Sequence, residues 1–121
     1  MRFATISILA SAMVLANPAN AQSLNKITNE DDYRAMVVGH KFYDEHGNWV
    51  RSNADGTMVG RFNKEKLRGA WNWQGRYFCR NIILGKNELG TDCQVVYTNG
   101  TQLQSKRNKG KGELSDVFVR K

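Results

Sequence analysis

Side chains that could perform acid–base chemistry cluster in one short segment, HKFYDEHGN (40–48). His40 and His46 flank Asp44 and Glu45 there, and a histidine held beside a carboxylate can act as a general base. Strand alternation would put His40 and Asp44 on one face and leave His46 in or beside a turn. The pattern favours a solvated turn at a strand end. A hydrolase would instead require both histidines to converge with Asp44 and a serine in a cleft.

Cys79 and Cys93 are the two cysteines of the chain, and their spacing does not match a redox C-x-x-C pair. In an oxidising compartment an isolated pair of this kind forms a disulfide. The bridge would close a loop of about 15 residues, which stabilises the fold by roughly 3 kcal/mol in the chain-entropy model. A zinc site would need further ligands, for which only His40 and His46 are obvious candidates, and we expect no metal.

Other catalytic patterns are missing from the sequence or are explained by turns. The chain after residue 21 contains no G-x-x-x-x-G-K-[ST], G-x-G-x-x-G or G-x-S-x-G motif. Paired carboxylates for glycoside hydrolysis would have to come from residues at turns or loop ends. These residues are Asp55, Glu65, Glu88, Asp92, Glu113 and Asp116. We therefore expect no cofactor and favour a protein that is not an enzyme.

The first residues predict export. Met1-Arg2, the apolar segment 4–16 and the triplet Ala19-Asn20-Ala21 form a Sec-type signal peptide with cleavage after Ala21. The apolar segment is too short for a membrane-spanning helix, which needs about 20 residues. We expect a periplasmic or secreted protein of a Gram-negative bacterium that does not span the membrane. Loss of Arg2 with the peptide lowers the formal net charge from +7 to +6 and leaves 100 residues, enough for one domain.

The rest of the chain predicts a tail and short helix at 22–38 and a single β-barrel domain at 39–121. Thr28 or Asn29 can cap the helix, and Gly39 can end it. Asp55-Gly56, Gln74-Gly75 and Asn99-Gly100 are typical of two-residue hairpin turns. Strands are predicted at about 40–44, 48–54, 57–63, 66–73, 76–84, 92–98, 101–107 and 114–120. We predict a mostly β fold, an antiparallel meander of about eight short strands that closes or nearly closes into a small barrel, with one N-terminal helix and one disulfide.

Large aromatic side chains predict a filled barrel interior with little cavity. The expected core residues are Trp71, Trp73, Phe78, Tyr97 and Phe118. In YFCRNIIL (77–84) apolar side chains fall on both faces, so the outer face needs a cover. The N-terminal helix could supply that cover, and a partner chain is the alternative, which makes a homodimer possible.

Basic residues form two candidate binding sets. One set, Arg61, Lys64, Lys66 and Arg68, comes from one hairpin, and the other, Lys106, Arg107, Lys109 and Lys111, comes from the segment before the last strand. A net positive charge attracts anionic partners and also keeps a small protein soluble. Barrel closure could leave the two sets on different sides. We expect no nucleic-acid binding, because the aromatics that would stack on bases are predicted to lie in the core.

The motifs GAWNW…YFCR, LGTDCQVV and NKGKG resemble a group of small exported alphaproteobacterial proteins of unestablished function. The resemblance covers about residues 54–119, and its specific part is the two cysteine-centred segments. Some members carry a dihydrodipicolinate reductase label, which a chain without a dinucleotide fingerprint does not support. The architecture is also similar to lipocalin-like barrels and to barrel-shaped protease and lysozyme inhibitors. It lacks the tryptophan of the lipocalin start at Gly39-His40-Lys41.

These observations lead to three hypotheses about function. The first is a non-catalytic binding protein that recognises a protein or an anionic envelope component through its loops or basic surface, with an inhibitor as a special case. The second is a lipocalin-like carrier of a small molecule, which an apolar pocket above roughly 300 Å³ would favour. The third is a small hydrolase built on the histidines.

Overall fold

The computed structural model describes residues 24–121, so the predicted signal peptide, 1–21, lies outside the described residues. Within the described range the chain forms nine strands and two helical segments. The strands are β1 (Asn25–Ile27), β2 (Phe42–Tyr43), β3 (Trp49–Ser52), β4 (Thr57–Phe62), β5 (Glu65–Gln74), β6 (Tyr77–Leu84), β7 (Asn87–Thr98), β8 (Gln102–Lys106) and β9 (Phe118–Arg120). The helical segments are α1 (Glu30–Met36) and α2 (Arg107–Gly110).

Eight antiparallel strands close into a barrel, which confirms the predicted fold class. The order around the ring is β7-β6-β5-β4-β3-β2-β9-β8, and pairing of β8 with β7 completes it. Closure pairs the edge strands that an open sheet would leave exposed. The short strand β1 was not predicted. It lies in the expected tail and pairs with the end of β7, Asn25 opposite Thr98.

The strand boundaries differ from the prediction mainly at β9 and β7. The sequence predicts the last strand at 114–120, but β9 covers only Phe118–Arg120, and Leu114 makes an isolated bridge to Lys106. The sequence predicts no strand between residues 84 and 92, but Leu84 pairs with Asn87 and only Gly85 and Lys86 form the turn. The residues after the turn continue the hairpin although the first five are exposed. β8 pairs with β7 only from Val95 onward, so the first part of β7 is exposed to solvent and its residues are polar. That polarity resembles the polarity of a loop.

The helix α1 plugs one end of the barrel. Its start is fixed by Asn29, whose Oδ1 accepts a hydrogen bond of 2.9 Å from the backbone N–H of Asp32. Tyr33 and Val37 are buried, and the Tyr33 ring contacts the inward-facing rings of Trp71 and Phe78. The expectation that α1 covers the outer face of β6 is therefore wrong, because its apolar stripe packs into the barrel interior.

The outer face of β6 is approached instead by α2. This segment is a single irregular turn with Asn108 and Lys109 in the left-handed region. Lys109 Nζ lies 5.5 Å from the centre of the Tyr77 ring, and Gly110 lies directly against Val95 on β7. The return of the chain from β8 thus covers part of the apolar outer surface that we assigned to the helix or a partner chain.

The aromatic residues predicted for the core occupy three different positions. Trp71 and Phe78 are buried core residues, as predicted, and Trp73 and Phe118 are half-buried against that core. Tyr97 does not belong to the core cluster. Because Val96 is buried and the next position points the other way, Tyr97 lies on the outer face of the barrel with Gln104 and Lys106.

Candidate functional site

The two ends of the barrel are different, one closed and one open. In an antiparallel meander alternate hairpins lie at the same end. The turns after β3, β5 and β7 therefore share one end, which α1 closes through the hydrogen bond of Tyr33 to Ser52 and that of Arg34 to the carbonyl of Ala54. The turns after β2, β4 and β6 share the other end with the 107–117 connection. That end is open.

A cavity of about 300 Å³ extends into the barrel between the inward-facing side chains. This finding contradicts the expectation of a filled interior. Two inward positions, Gly60 on β4 and Gly69 on β5, carry no side chain, because a Cβ there would lie 2.3 and 2.1 Å from a carbonyl oxygen of the neighbouring strand. Most of the cavity wall is apolar. Its apolar residues include Phe42, Met58, Leu67, Ile82, Val96 and Phe118.

One wall of the cavity, formed by β6 and β7, is polar and contains a buried arginine. Arg80 and Gln94 face inward and are each only 7% exposed. One guanidinium nitrogen of Arg80 donates a hydrogen bond of 2.9 Å to the carbonyl of Gly90. No carboxylate in the described part of the chain lies within 4.0 Å of this guanidinium. Burial lowers the pKa of Arg80, the charge of Asp92 opposes that effect, and the charge of Arg107 adds to it.

Asp92 lies between Arg80 and a second arginine at the mouth of the cavity. Arg107 Nε is 3.5 Å from Asp92 Oδ2, and the backbone N–H of Asn108 donates to Asp92 Oδ1 at 3.1 Å. Gln94 Nε2 donates to Asp92 Oδ2 at 2.8 Å. Burial would raise the pKa of Asp92, but these hydrogen bonds and the two arginine charges together lower it. The wall therefore combines one ionised carboxylate with two cations and retains a net positive charge.

The disulfide braces this polar wall from outside. Cys79 and Cys93 are bonded, as predicted, and they are directly opposite each other on β6 and β7. The neighbouring opposed pairs are Phe78 with Gln94 and Arg80 with Asp92. Because side chains alternate between faces, a bridge on the outer face fixes the positions of the polar groups on the inner face.

Sequence reasoning missed the residues of this wall. The alternation in YFCRNIIL already assigned Phe78, Ile82 and Leu84 to one face, which necessarily includes Arg80. The same argument in CQVVYT places Gln94 with Val96 and Thr98, all three of which are buried. A charged or polar residue at an inward position of an otherwise apolar strand was the available signal.

The two predicted basic sets lie on opposite sides of the barrel. β4 and β8 are four places apart in the ring of eight strands. On the first side, Arg61, Lys66 and Arg68 face outward from β4 and β5, and Lys64 lies in the turn between them. On the second side the residues separate. Lys106 faces outward, Arg107 lines the cavity mouth, Lys109 lies over Tyr77, and Lys111 is exposed.

The residues weighed for hydrolysis do not converge. His40 and His46 lie beyond opposite ends of β2, and His46 is exposed in the β2–β3 turn. Asp44 holds that turn together, because its Oδ1 accepts hydrogen bonds of 2.9 Å from the backbone N–H groups of His46 and Asn48. Across residues 24–121, no group of three or more His, Cys, Asp or Glu side chains is arranged to hold a metal ion.

Comparison with known proteins adds no assignment to this geometry. No protein-family model, curated protein or solved structure matches the chain. The resemblance to small exported alphaproteobacterial proteins stays a prediction. Among the described residues, no helix has the length and hydropathy that a membrane span requires.

Proposed function

We propose that the protein is a non-catalytic carrier that binds a small amphipathic acid inside its barrel. The apolar part of the ligand occupies the cavity, and its acid group pairs with Arg80. The observation that carries this proposal is a buried arginine, without a carboxylate at contact distance, that faces an apolar cavity open at one end. Ligand sites commonly combine an apolar enclosure with a few convergent polar groups of this kind.

The electrostatics of the wall favour an anionic ligand. A buried charge is costly unless it is paired and hydrogen-bonded, and Arg80 has one carbonyl partner for its five N–H donors. A carboxylate or phosphate can accept two parallel hydrogen bonds from a guanidinium. Asp92 is already engaged by Gln94, Asn108 and Arg107, so it leaves the Arg80 fork available to a ligand.

The size of the cavity limits the apolar part of the ligand. A volume of about 300 Å³ is at the lower end of the range for small-molecule sites, roughly 300–1,000 Å³. A single alkyl chain or one compact ring system fits that space better than a large polycyclic cofactor. The cavity reaches the size that separates the carrier hypothesis from loop-based recognition without exceeding it, and the buried Arg80 in its wall is what favours the carrier.

An exported location suits this function and is part of the proposal. The disulfide between Cys79 and Cys93 is compatible with an oxidising compartment such as the periplasm or the extracellular space. A small carrier there would move a poorly soluble acid through water between sites of release and uptake. The bridge would hold β6 and β7, and with them the binding wall, in register outside the cell.

The experiment that tests the proposal compares ligands that differ only in the head group. Delipidated protein is titrated by calorimetry with dodecanoate, dodecanol and dodecyltrimethylammonium. We expect dodecanoate to bind at least about ten-fold more tightly than dodecanol, because hydrogen bonds to a charged group contribute about 1.5–3 kcal/mol. The cation should bind weakest. Equal affinities for the three compounds, or no binding of the acid, would overturn the proposal.

A further inference from the structure

One side of the outer barrel wall carries a concentration of positive charge that the cavity does not explain. We call it the basic face and define it by six cations on β2–β5 and at the C-terminus. They are Lys41, Arg51, Arg61, Lys66, Arg68 and Lys121. Only half of them belong to the basic sets predicted from the sequence. The others lie just before β2 (Lys41), on β3 (Arg51) and just after β9 (Lys121), and these strands are consecutive neighbours of β4 in the barrel.

The register of the strands shows that these cations are neighbours. Arg61 pairs with Lys66 on one side and with Trp49 on the other. The next position on the same face of β4 is Val59, which pairs with Arg51 on β3 and with Arg68 on β5. The cations of these strands face outward, because side chains alternate between faces and the residues between the cations, such as Val50, Met58 and Leu67, line the cavity.

The acidic residues nearest the basic face lie at its edge, Asp44 and Glu45 in the β2–β3 turn and Glu65 at the start of β5. None of the outward-facing positions of β2–β5 is Asp or Glu. The ion pairs in the described part of the chain involve Arg34, His46 and Arg107, and none of them includes a cation of this face. Like charges held this close repel one another, so an anionic partner would be favoured there.

Two aromatic residues lie within the basic face, and their ring faces are already occupied. Lys41 Nζ lies 4.3 Å from the centre of the Trp49 ring, and Lys121 Nζ lies 5.6 Å from that of Tyr43. The two rings are 6.3 Å apart. Stacking of nucleic-acid bases requires free ring faces along a groove, and this arrangement does not offer them. A half-buried tryptophan and tyrosine flanked by lysines are instead typical of side chains at a membrane–water interface.

We propose that the basic face docks the protein on an anionic lipid bilayer. The outer wall of the barrel is convex and has no groove along the basic face, so a plane of phosphates can approach its cations, and Trp49 and Tyr43 would lie at the level of the lipid headgroups. The inference goes beyond the carrier function and does not depend on what the cavity binds. Each cation near an anionic bilayer contributes about five-fold to the partition coefficient.

The test is co-sedimentation of the protein with vesicles. Phosphatidylcholine vesicles with and without phosphatidylglycerol are compared at low and high salt. We expect binding only to the anionic vesicles, and we expect salt to weaken it because exposed charges are screened. The triple variant Arg61→Gln, Lys66→Gln, Arg68→Gln should bind roughly a hundred-fold more weakly.

A matched variant separates the basic face from net charge. Lys26→Gln, Arg76→Gln, Lys111→Gln removes three exposed cations outside the face and should retain most of the binding. Thermal melting verifies that both triple variants are folded. Equal loss of binding in the two variants would overturn the proposal. It would also be overturned by equal binding to neutral vesicles, or by binding to a single-stranded oligonucleotide without binding to vesicles.

Discussion

The barrel buries two large polar side chains in different ways, Tyr33 at its closed end and Arg80 in its wall. The Tyr33 hydroxyl shares a hydrogen bond of 2.7 Å with Ser52, and its ring packs among Trp71 and Phe78. Burial raises the pKa of Tyr33, so the side chain stays neutral, and the hydrogen bond to Ser52 opposes that effect without reversing it. Arg80 is charged, faces a cavity and has one carbonyl partner.

This difference separates the part of the barrel that holds the fold together from the part that is available to a ligand. Buried polar groups in folded proteins are normally satisfied, and a group that is not fully satisfied requires an explanation. At the closed end the explanation is structural. In the polar wall no fully buried nitrogen lacks a partner. The N–H groups of Arg80 that do not bond to Gly90 reach the open cavity, where we place the acid group of the ligand. Each prediction below alters one of these regions.

The largest effect is expected at the closed end. Tyr33→Ala removes an aromatic ring from the core and should lower the free energy of unfolding by about 3–5 kcal/mol. Tyr33→Phe keeps the ring and leaves Ser52 without its partner, which should cost about 1–3 kcal/mol. Chemical denaturation of the two variants measures both values. An Ala variant as stable as the wild type would show that α1 does not hold the barrel end closed.

The second effect concerns the disulfide behind the polar wall. Reduction, or replacement of Cys79 and Cys93 by alanine, should lower the free energy of unfolding by roughly 3 kcal/mol. For a domain of this size, that corresponds to a melting temperature lower by roughly 12–24 °C. Differential scanning calorimetry with and without reductant measures it. Thiol labelling of the native protein before reduction should detect no free cysteine, and two titratable thiols would contradict the bridge.

The smallest effect is the acid sensitivity of the polar wall. The pKa of Asp92 is lowered in the folded state, so its contribution to stability is complete above its unfolded pKa, near 3.9, and is lost as the pH falls through the folded value. Asp92→Asn should therefore be less stable than the wild type at neutral pH, and the difference should disappear toward about pH 2. Denaturation curves across this range measure it.

A second substitution serves as the control for that experiment. Asp116 is exposed and belongs to no ion pair in the part of the chain that the structure describes. Asp116→Asn should change stability little at any pH. If both variants lost the same stability at neutral pH, the contribution of Asp92 would not come from its contacts in the wall.

Features encoded in local sequence could be predicted, and features created by closure could not. The locations of the hairpins, the cysteine pair and the inward face of Trp71 follow from neighbouring residues and are found in the structure. The predicted turn residues are wrong in detail. Gln74 pairs with Tyr77, so Gly75 and Arg76 form that turn, and Asn53 bonds to Thr57, so the turn at Asp55-Gly56 has three residues. The plug formed by α1 depends on which strands are brought to the same end. The basic face depends on the pairing of β2, β3, β4 and β5, which brings residues 41–68 and the C-terminus together.

The cavity was mispredicted for a different physical reason. The number of large aromatics suggests a filled interior, but Tyr97 faces outward, and Trp73 and Phe118 are only half-buried. Alternation along β6 puts Arg80 on the same face as Phe78 and Ile82, so its inward position follows from the sequence. Its significance depends on the empty space beside it, which alternation along a single strand does not reveal.

The most direct test of the central claim is the affinity of an Arg80→Met variant for dodecanoate and dodecanol. Met keeps the unbranched apolar stem of the arginine side chain without its charge, so the cavity should remain, and thermal melting verifies that the variant is folded. We predict that the variant loses the preference for the acid. Arg76→Met, at an exposed turn, should keep it. A folded Arg80→Met variant that binds dodecanoate as tightly as the wild type would contradict the account.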